Sequence, residues 1–115
     1  VTVAGRDAYR LVQAHCLGYD TCLLKELESV IGEFDFIFNT IPYLVLDGAL
    51  AKQLQENASV IDIASAPGGV DFQALKRRNI RARLCPGLPG RYSPHSSAII
   101  LYEAVMEHIR DSQTQ

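Results

Sequence analysis

"VIDIASAPGGVDF", residues 60–72, decides the fold of this chain. Val60, Ile61 and Ile63 read as a strand over 59–64 that runs into the small residues Ala64, Ser65 and Ala66. Pro67, Gly68 and Gly69 then turn the chain, and a helix is expected over about 71–78. Apolar residues that end in a Pro-Gly turn before a helix mark one step of an alternating β/α chain.

The same step recurs on both sides. Residues 1–4 read as a β-branched strand, and Asp7 is placed to cap a helix over about 8–17 that stops at Gly18. Residues 19–22 form a weak short strand. Leu23, Leu24, Leu27, Val30 and Ile31 then share one helical face, closed by Gly32. "FDFIFN", residues 34–39, is a strong strand. Asp47 caps the next helix, with Leu50, Ala51 and Leu54 inward and Lys52, Gln53, Gln55 and Glu56 outward. "IRARLC", residues 80–85, is the last strand. The turn "PGLPG", 86–90, leads to a final helix with Ser93 as its N-cap, Pro94 in its first turn, and Ala98, Leu101, Tyr102, Val105 and Ile109 as its buried stripe. A polar tail expected to fray starts at about 111.

Strands separated by helices imply right-handed crossovers and a parallel sheet, so the class is α/β. At 115 residues the chain is one domain or part of one, and it opens on Val1-Thr2-Val3-Ala4 as if in the middle of a sheet. The expectation is a single partial domain over 1–115. Ligands of such sheets bind at the carboxyl ends of the strands. The positions of interest are therefore Gly5 and Arg6, residues 39–42, residues 64–69 and residues 86–90.

Charge and composition narrow the function. With 11 Lys and Arg against 13 Asp and Glu, no basic field points to nucleic acid. The run Lys76, Arg77 and Arg78 reads as a solvated helix end that suits the helix dipole. No apolar run is long enough to span a bilayer, and no signal peptide is visible. Cys16, Cys22 and Cys85 are odd in number and lack metal-ligand spacing, so no metal is expected. They read as buried free thiols of a reducing compartment.

The Ala-Pro-Gly-Gly turn resembles the methyl-donor turn of S-adenosylmethionine methyltransferases, but those carry it after their first strand. Here one strand remains after it, and that strand ends in Cys85-Pro86 with no carboxylate for a ribose. A nicotinamide-binding Rossmann domain fits the order better. Its G-x-G-x-x-G turn, not found in this sequence, follows the first strand and would lie upstream of Val1 if residues 1–4 are the second strand. The residue after that strand discriminates the cofactor. A carboxylate holds the ribose hydroxyls of NAD, and an arginine meets the 2′-phosphate of NADP. Gly5 leaves room for an adenosine, Arg6 can fork onto a phosphate, and Asp7 is better placed as a cap. Asn39, Thr40 and Pro42 end the strong strand where a nicotinamide ribose would pass.

Three stretches together, "FDFIFNTIPYLVLD" (34–47), "VIDIASAPGGVDF" (60–72) and "CPGLPGRYSPHSSAIIL" (85–101), resemble the C-terminal nucleotide-binding domain of the dipicolinate synthase A-subunit family. "VTVAGRD" (1–7) is similar to that family's second Rossmann strand. The resemblance implies a three-layer Rossmann-like parallel sheet, truncated at its N-terminus and lacking the first strand and its glycine turn. It implies a cytoplasmic sporulation enzyme of the mother cell that oxidises dihydro- or hydroxytetrahydro-dipicolinate to pyridine-2,6-dicarboxylate. NADP is the expected oxidant, with NAD possible, and the expected partner is a flavoprotein-like B subunit.

Cofactor-binding candidates are then Gly5, Arg6, Asn39, Thr40, Pro42, Ala64 and Ser65. Candidates for gripping the substrate carboxylates are Ser65, the amides of Gly68 and Gly69 near a helix start, and Arg91. Each has a plainer reading as a turn hydroxyl, a backbone requirement or a solvated charge. His95, in "SPHSS", is the candidate catalytic residue. Related 2-hydroxyacid dehydrogenases place a catalytic histidine in a similar Pro-His setting, whereas lysine is expected here in the dipicolinate synthase family. The alternatives are another Rossmann dehydrogenase, of 2-hydroxyacid or alanine type, and a nucleotide-binding regulatory module without chemistry.

Overall fold

Every described strand of this chain pairs in parallel, which requires each to be reached by a crossover rather than a hairpin. The computed structural model describes residues 1–114, the side chains of Pro89 and 112–114 excepted. The order is β1 (Thr2–Gly5), α1 (Ala8–Cys16), β2 (Asp20–Leu23), two 3₁₀ turns (Leu24–Ser29 and Ile31–Glu33), β3 (Phe36–Asn39), α2 (Gly48–Gln53), β4 (Ser59–Asp62), α3 (Phe72–Arg77), β5 (Arg81–Leu84), α4 (Leu88–Tyr92) and α5 (Pro94–Thr114). The α/β class expected from the sequence is what forms.

The strands make two sheets, β1-β2 and β3-β4-β5. β1 does not pair with β3. Between them lies an apolar cavity of about 400 Å³, lined by Val1, Thr2 and Ala4 on one side and by Phe36, Phe38 and Asn39 on the other.

The core sits under one face of the three-stranded sheet. Ile37, Val60 and Ala82 are register neighbours on that face and pack with Leu46, Ala51, Leu54, Leu75 and Ile80. The opposite face presents Phe36 and Phe38, both mostly exposed.

Local chemistry fixes the helix starts. The Asp7 carboxylate accepts from the Tyr9 and Arg10 amides, Asp47 from Ala49 and Leu50, and Asp71 from Ala74. Arg78 departs from the expected solvated helix end. Lys76 and Arg77 are exposed, but the half-buried Arg78 guanidinium donates to the carbonyls of Ala51 and Leu54 at the end of α2. A cation there satisfies orphan carbonyls and complements the helix dipole.

Five further expectations change. The segment after β2 forms 3₁₀ turns instead of an α-helix, and the three-residue spacing of Leu24, Leu27 and Val30 is compatible with that period as well as with 3.6. "PGLPG" is largely absorbed into the short helix α4, and α5 runs on through Thr114, past the expected frayed start of the tail. The stripe Ala98, Leu101, Tyr102, Val105 and Ile109 is exposed, since α5 touches no described helix or strand except α4. All three cysteines are free, yet Cys16 is exposed and the others are only half-buried.

Candidate functional site

The carboxyl ends of β3 and β4 are knitted together by one buried carboxylate. Asn39 and Asp62 are register partners at the ends of their strands, and Asp62 is fully buried (0 % exposed). Its Oδ1 accepts from Asn39 Nδ2 at 2.9 Å and from the Ala64 amide at 3.1 Å. Its Oδ2 accepts from the Gly69 amide at 2.8 Å. With no cation in reach among the described residues, these N–H groups are what make the burial of a carboxylate tolerable.

Asn39 extends this cluster into the following turn. Its Nδ2 donates to the Ile41 carbonyl, and its Oδ1 accepts from the Ile41 amide. The amide orientation is therefore fixed, since a flip would break both bonds.

The turn at 64–69, which contains a cis Ala66–Pro67 peptide, is built around Asp62. Gly68 has a φ of +81°, and a Cβ there would stand 2.6 Å from Asp62 Oδ2. A Cβ on Gly69 would meet the Ile41 carbonyl, Asn39 Nδ2 at 2.5 Å and the Tyr43 carbonyl at 2.7 Å. Both positions thus require glycine, one for its left-handed backbone and both for close approach. The Gly69 carbonyl accepts from the Val45 and Leu46 amides, and the Asp71 amide donates to Leu46. The loops after β3 and β4 consequently form one rigid rim.

This geometry bears on the sequence candidates for gripping a carboxylate. The Gly68 amide donates to the Ser65 carbonyl at 2.8 Å and the Gly69 amide to Asp62. Neither belongs to a helix start, for α3 begins at Phe72 with Asp71 as its cap. A ligand carboxylate would have to displace these internal acceptors. Ser65 is exposed on the rim, and its hydroxyl makes no hydrogen bond among the described residues. Ala64 is buried at the turn, while Thr40 and Pro42 are exposed beside it.

Across the cavity, Gly5 ends β1, where a Cβ would lie 3.4 Å from the Leu11 side chain, and Arg6 follows, exposed. Among the described residues Arg6 has no carboxylate partner. The neighbouring Asp7 is engaged by its helix cap and by Arg10. The Arg6 guanidinium instead lies over the Tyr43 ring, 5.7 Å from its centroid. Arg91 is on α4 over the Tyr92 ring at 5.9 Å, and His95 is exposed in the first turn of α5. His95 has no hydrogen-bond or ionic partner among the described residues. The structure thus joins Asn39, Ala64, Gly68 and Gly69 into one cluster, keeps Arg6 beside Tyr43, and leaves Arg91 and His95 apart on α4 and α5.

Asp62 and Tyr43 escaped the sequence reading, which has Arg78 only as part of a solvated helix end. Asp62 had a signal, a lone acid within the apolar run of "VIDIA". The roles of Tyr43 and Arg78 depend on partners far away in sequence. Elsewhere, burial and then the nearby Glu26 raise the pKa of the Cys22 thiol above its ordinary value. No group of metal-ligating side chains occurs among the described residues. Nor is any described helix long and apolar enough to cross a membrane.

Parallel sheets flanked by helices, with the Pro67-Gly68-Gly69 turn at the carboxyl rim, define a Rossmann-like α/β protein. Comparison with known proteins sharpens this: the chain is similar in sequence and in structure to A subunits of dipicolinate synthases. The A subunit of dipicolinate synthase from Bacillus subtilis (strain 168) is 29% identical over 115 residues, covering 100% of this chain and 39% of that protein. The crystal structure of the A subunit from Bacillus halodurans superimposes with a TM-score of 0.80 at 32% identity, covering 93% of this chain and 37% of the other. The crystal structure of the Bacillus subtilis protein gives 0.81 at 29% identity, covering 99% and 38%. The chain therefore spans less than two fifths of the length of these relatives. No family model matches it. That those relatives are designated A subunits implies a further subunit in their synthases.

Proposed function

We propose that this chain is the nucleotide-binding part of an NADP-dependent oxidoreductase that makes dipicolinate during sporulation, in the cytoplasm of the mother cell, together with a flavoprotein-like B subunit. The observation that carries the cofactor assignment is Arg6. It stands exposed after β1 without a carboxylate partner among the described residues, beside an Asp7 committed to capping α1. An exposed arginine fork suits a phosphate, and a carboxylate engaged in capping is poorly placed to hold ribose hydroxyls. The fit is to the adenosine end of the cofactor. No described turn of this chain offers a G-x-G-x-x-G cradle for the pyrophosphate. In this reading the cavity between β1 and β3 takes a central strand, and the turn after that strand holds the pyrophosphate.

When bound, NADP supplies the hydride acceptor. The dihydropyridine ring gives up a hydride from one carbon and a proton from its neighbour, and dipicolinate is the aromatic product. The hydroxylated tetrahydro form must also lose water. Little acid–base work falls to the protein, whose task is to hold a dianionic ring in register. Ser65 lies on the same rim as the Asn39 turn and has a hydroxyl free to meet a substrate carboxylate or the cofactor ribose. The hydrogen bonds around Asp62 hold the backbone of the turn that carries Ser65.

The test is Arg6→Asp in the full-length protein, with NADP and NAD titrated separately. NADP affinity is expected to fall on the order of tenfold to a hundredfold while NAD changes little. Equal loss of both would show that Arg6 does not read the 2′-phosphate.

A further inference from the structure

Arg6 and Tyr43 belong to different sheets. Arg6 follows β1, Tyr43 follows β3, and those strands do not pair. Their contact, guanidinium over ring at 5.7 Å, crosses the opening between the sheets at the carboxyl rim. The two partners are unequally held. Arg6 is exposed and lies in a bend without a charge partner among the described residues. Tyr43 sits in a loop fixed to the turn after β4: the Gly69 carbonyl holds the Val45 and Leu46 amides at 3.0 and 2.9 Å, and Gly69 lies directly against the Tyr43 carbonyl. Gly69 is itself pinned by the buried Asp62.

We infer that Tyr43 is a positioning residue for Arg6: its ring, anchored through Gly69 and Asp62, orders the guanidinium so that it meets the phosphate monoester on a nucleotide ribose. An unrestrained arginine would lose much side-chain freedom on gripping a phosphate. A ring that already attracts the guanidinium by cation–π interaction lowers that loss before the ligand arrives. The anchor also makes the rim after β4, where substrate is expected, continuous with the residue that reads the cofactor. The inference rests on the NADP reading above and adds to it the residue that sets the strength of discrimination.

The experiment is calorimetric titration of full-length protein with NADP and with NAD, for wild type, Tyr43→Leu, Tyr43→Phe, Arg6→Ala and the Arg6→Ala/Tyr43→Leu double variant. Tyr43→Leu is expected to weaken NADP about two- to fivefold and leave NAD unchanged, the size of an exposed cation–π contact. Tyr43→Phe keeps the ring and binds like wild type. Once Arg6 is alanine, Tyr43→Leu has no further effect on NADP. Equal weakening of both cofactors by Tyr43→Leu would mean that Tyr43 only supports the loop, and the inference would fall. It would also fall, with the NADP reading intact, if Arg6→Ala removed discrimination and Tyr43→Leu did not alter it. If Arg6→Ala left the NADP-to-NAD ratio at its wild-type value, both would fall together.

Discussion

Replacing Asp62 by Asn changes one oxygen to an NH₂ group inside the most constrained part of the molecule. The side chain is 0 % exposed and accepts three hydrogen bonds, two on Oδ1 and one on Oδ2. An asparagine has one acceptor oxygen, so its Nδ2 must face either the Gly69 amide or the pair formed by the Ala64 amide and Asn39 Nδ2. Asn39 cannot turn to compensate, because both ends of its amide are bonded to Ile41. At least one buried N–H is left without an acceptor and opposed by another donor, which costs about 1–3 kcal/mol. Relief of the carboxylate's desolvation offsets part of this. The expected net loss is about 1–2 kcal/mol, which urea denaturation reads as a lowered midpoint at unchanged slope. Hydrogen exchange of the Gly69 amide should accelerate in parallel. A variant with the wild-type midpoint and a protected Gly69 amide would refute the assignment of Asp62 as the centre of the rim.

Other outcomes follow from the same geometry. Gly69→Ala drives a methyl group into Asn39, Ile41 and Tyr43 and is expected to cost about 1–3 kcal/mol or more in denaturant titration. Arg78→Met keeps the stem but removes the donors to Ala51 and Leu54, with a loss of about 1–3 kcal/mol by thermal or urea unfolding. Because burial raises its pKa, the Cys22 thiol carries less thiolate near pH 8 in the folded protein than after unfolding, so iodoacetamide should label it more slowly in the folded protein by mass spectrometry. The difference narrows as the pH rises through the Cys22 pKa.

Much of the fold was legible because the governing interactions are local. Asp7 and Asp47 announce caps that bond amides two and three residues on, and the Pro-Gly-Gly turn announces the end of β4. The 3₁₀ turns after β2 were not legible, since apolar spacing over so few residues fits a period of 3.0 as well as 3.6. The stripe of α5 shows that a face is apolar and not what lies against it, hence the exposure of Leu101 and Tyr102. The candidate site divides in the same way. Strand ends and glycines locate the rim. The Asn39–Asp62 bond spans 23 residues and the Arg78–Leu54 bond 24, and such pairs carry no local mark. The same long-range bonds explain why the Gly68 and Gly69 amides, which look free for an anion in the sequence, are engaged within the fold.

Oxidation of the ring is the step on which the proposed function stands. Full-length protein with the proposed B-subunit partner, NADP and freshly made condensation product of pyruvate and aspartate semialdehyde should yield pyridine-ring absorbance and reduced cofactor in near-equal amounts. Active partner with neither signal, or reduced cofactor without a pyridine product, would contradict it.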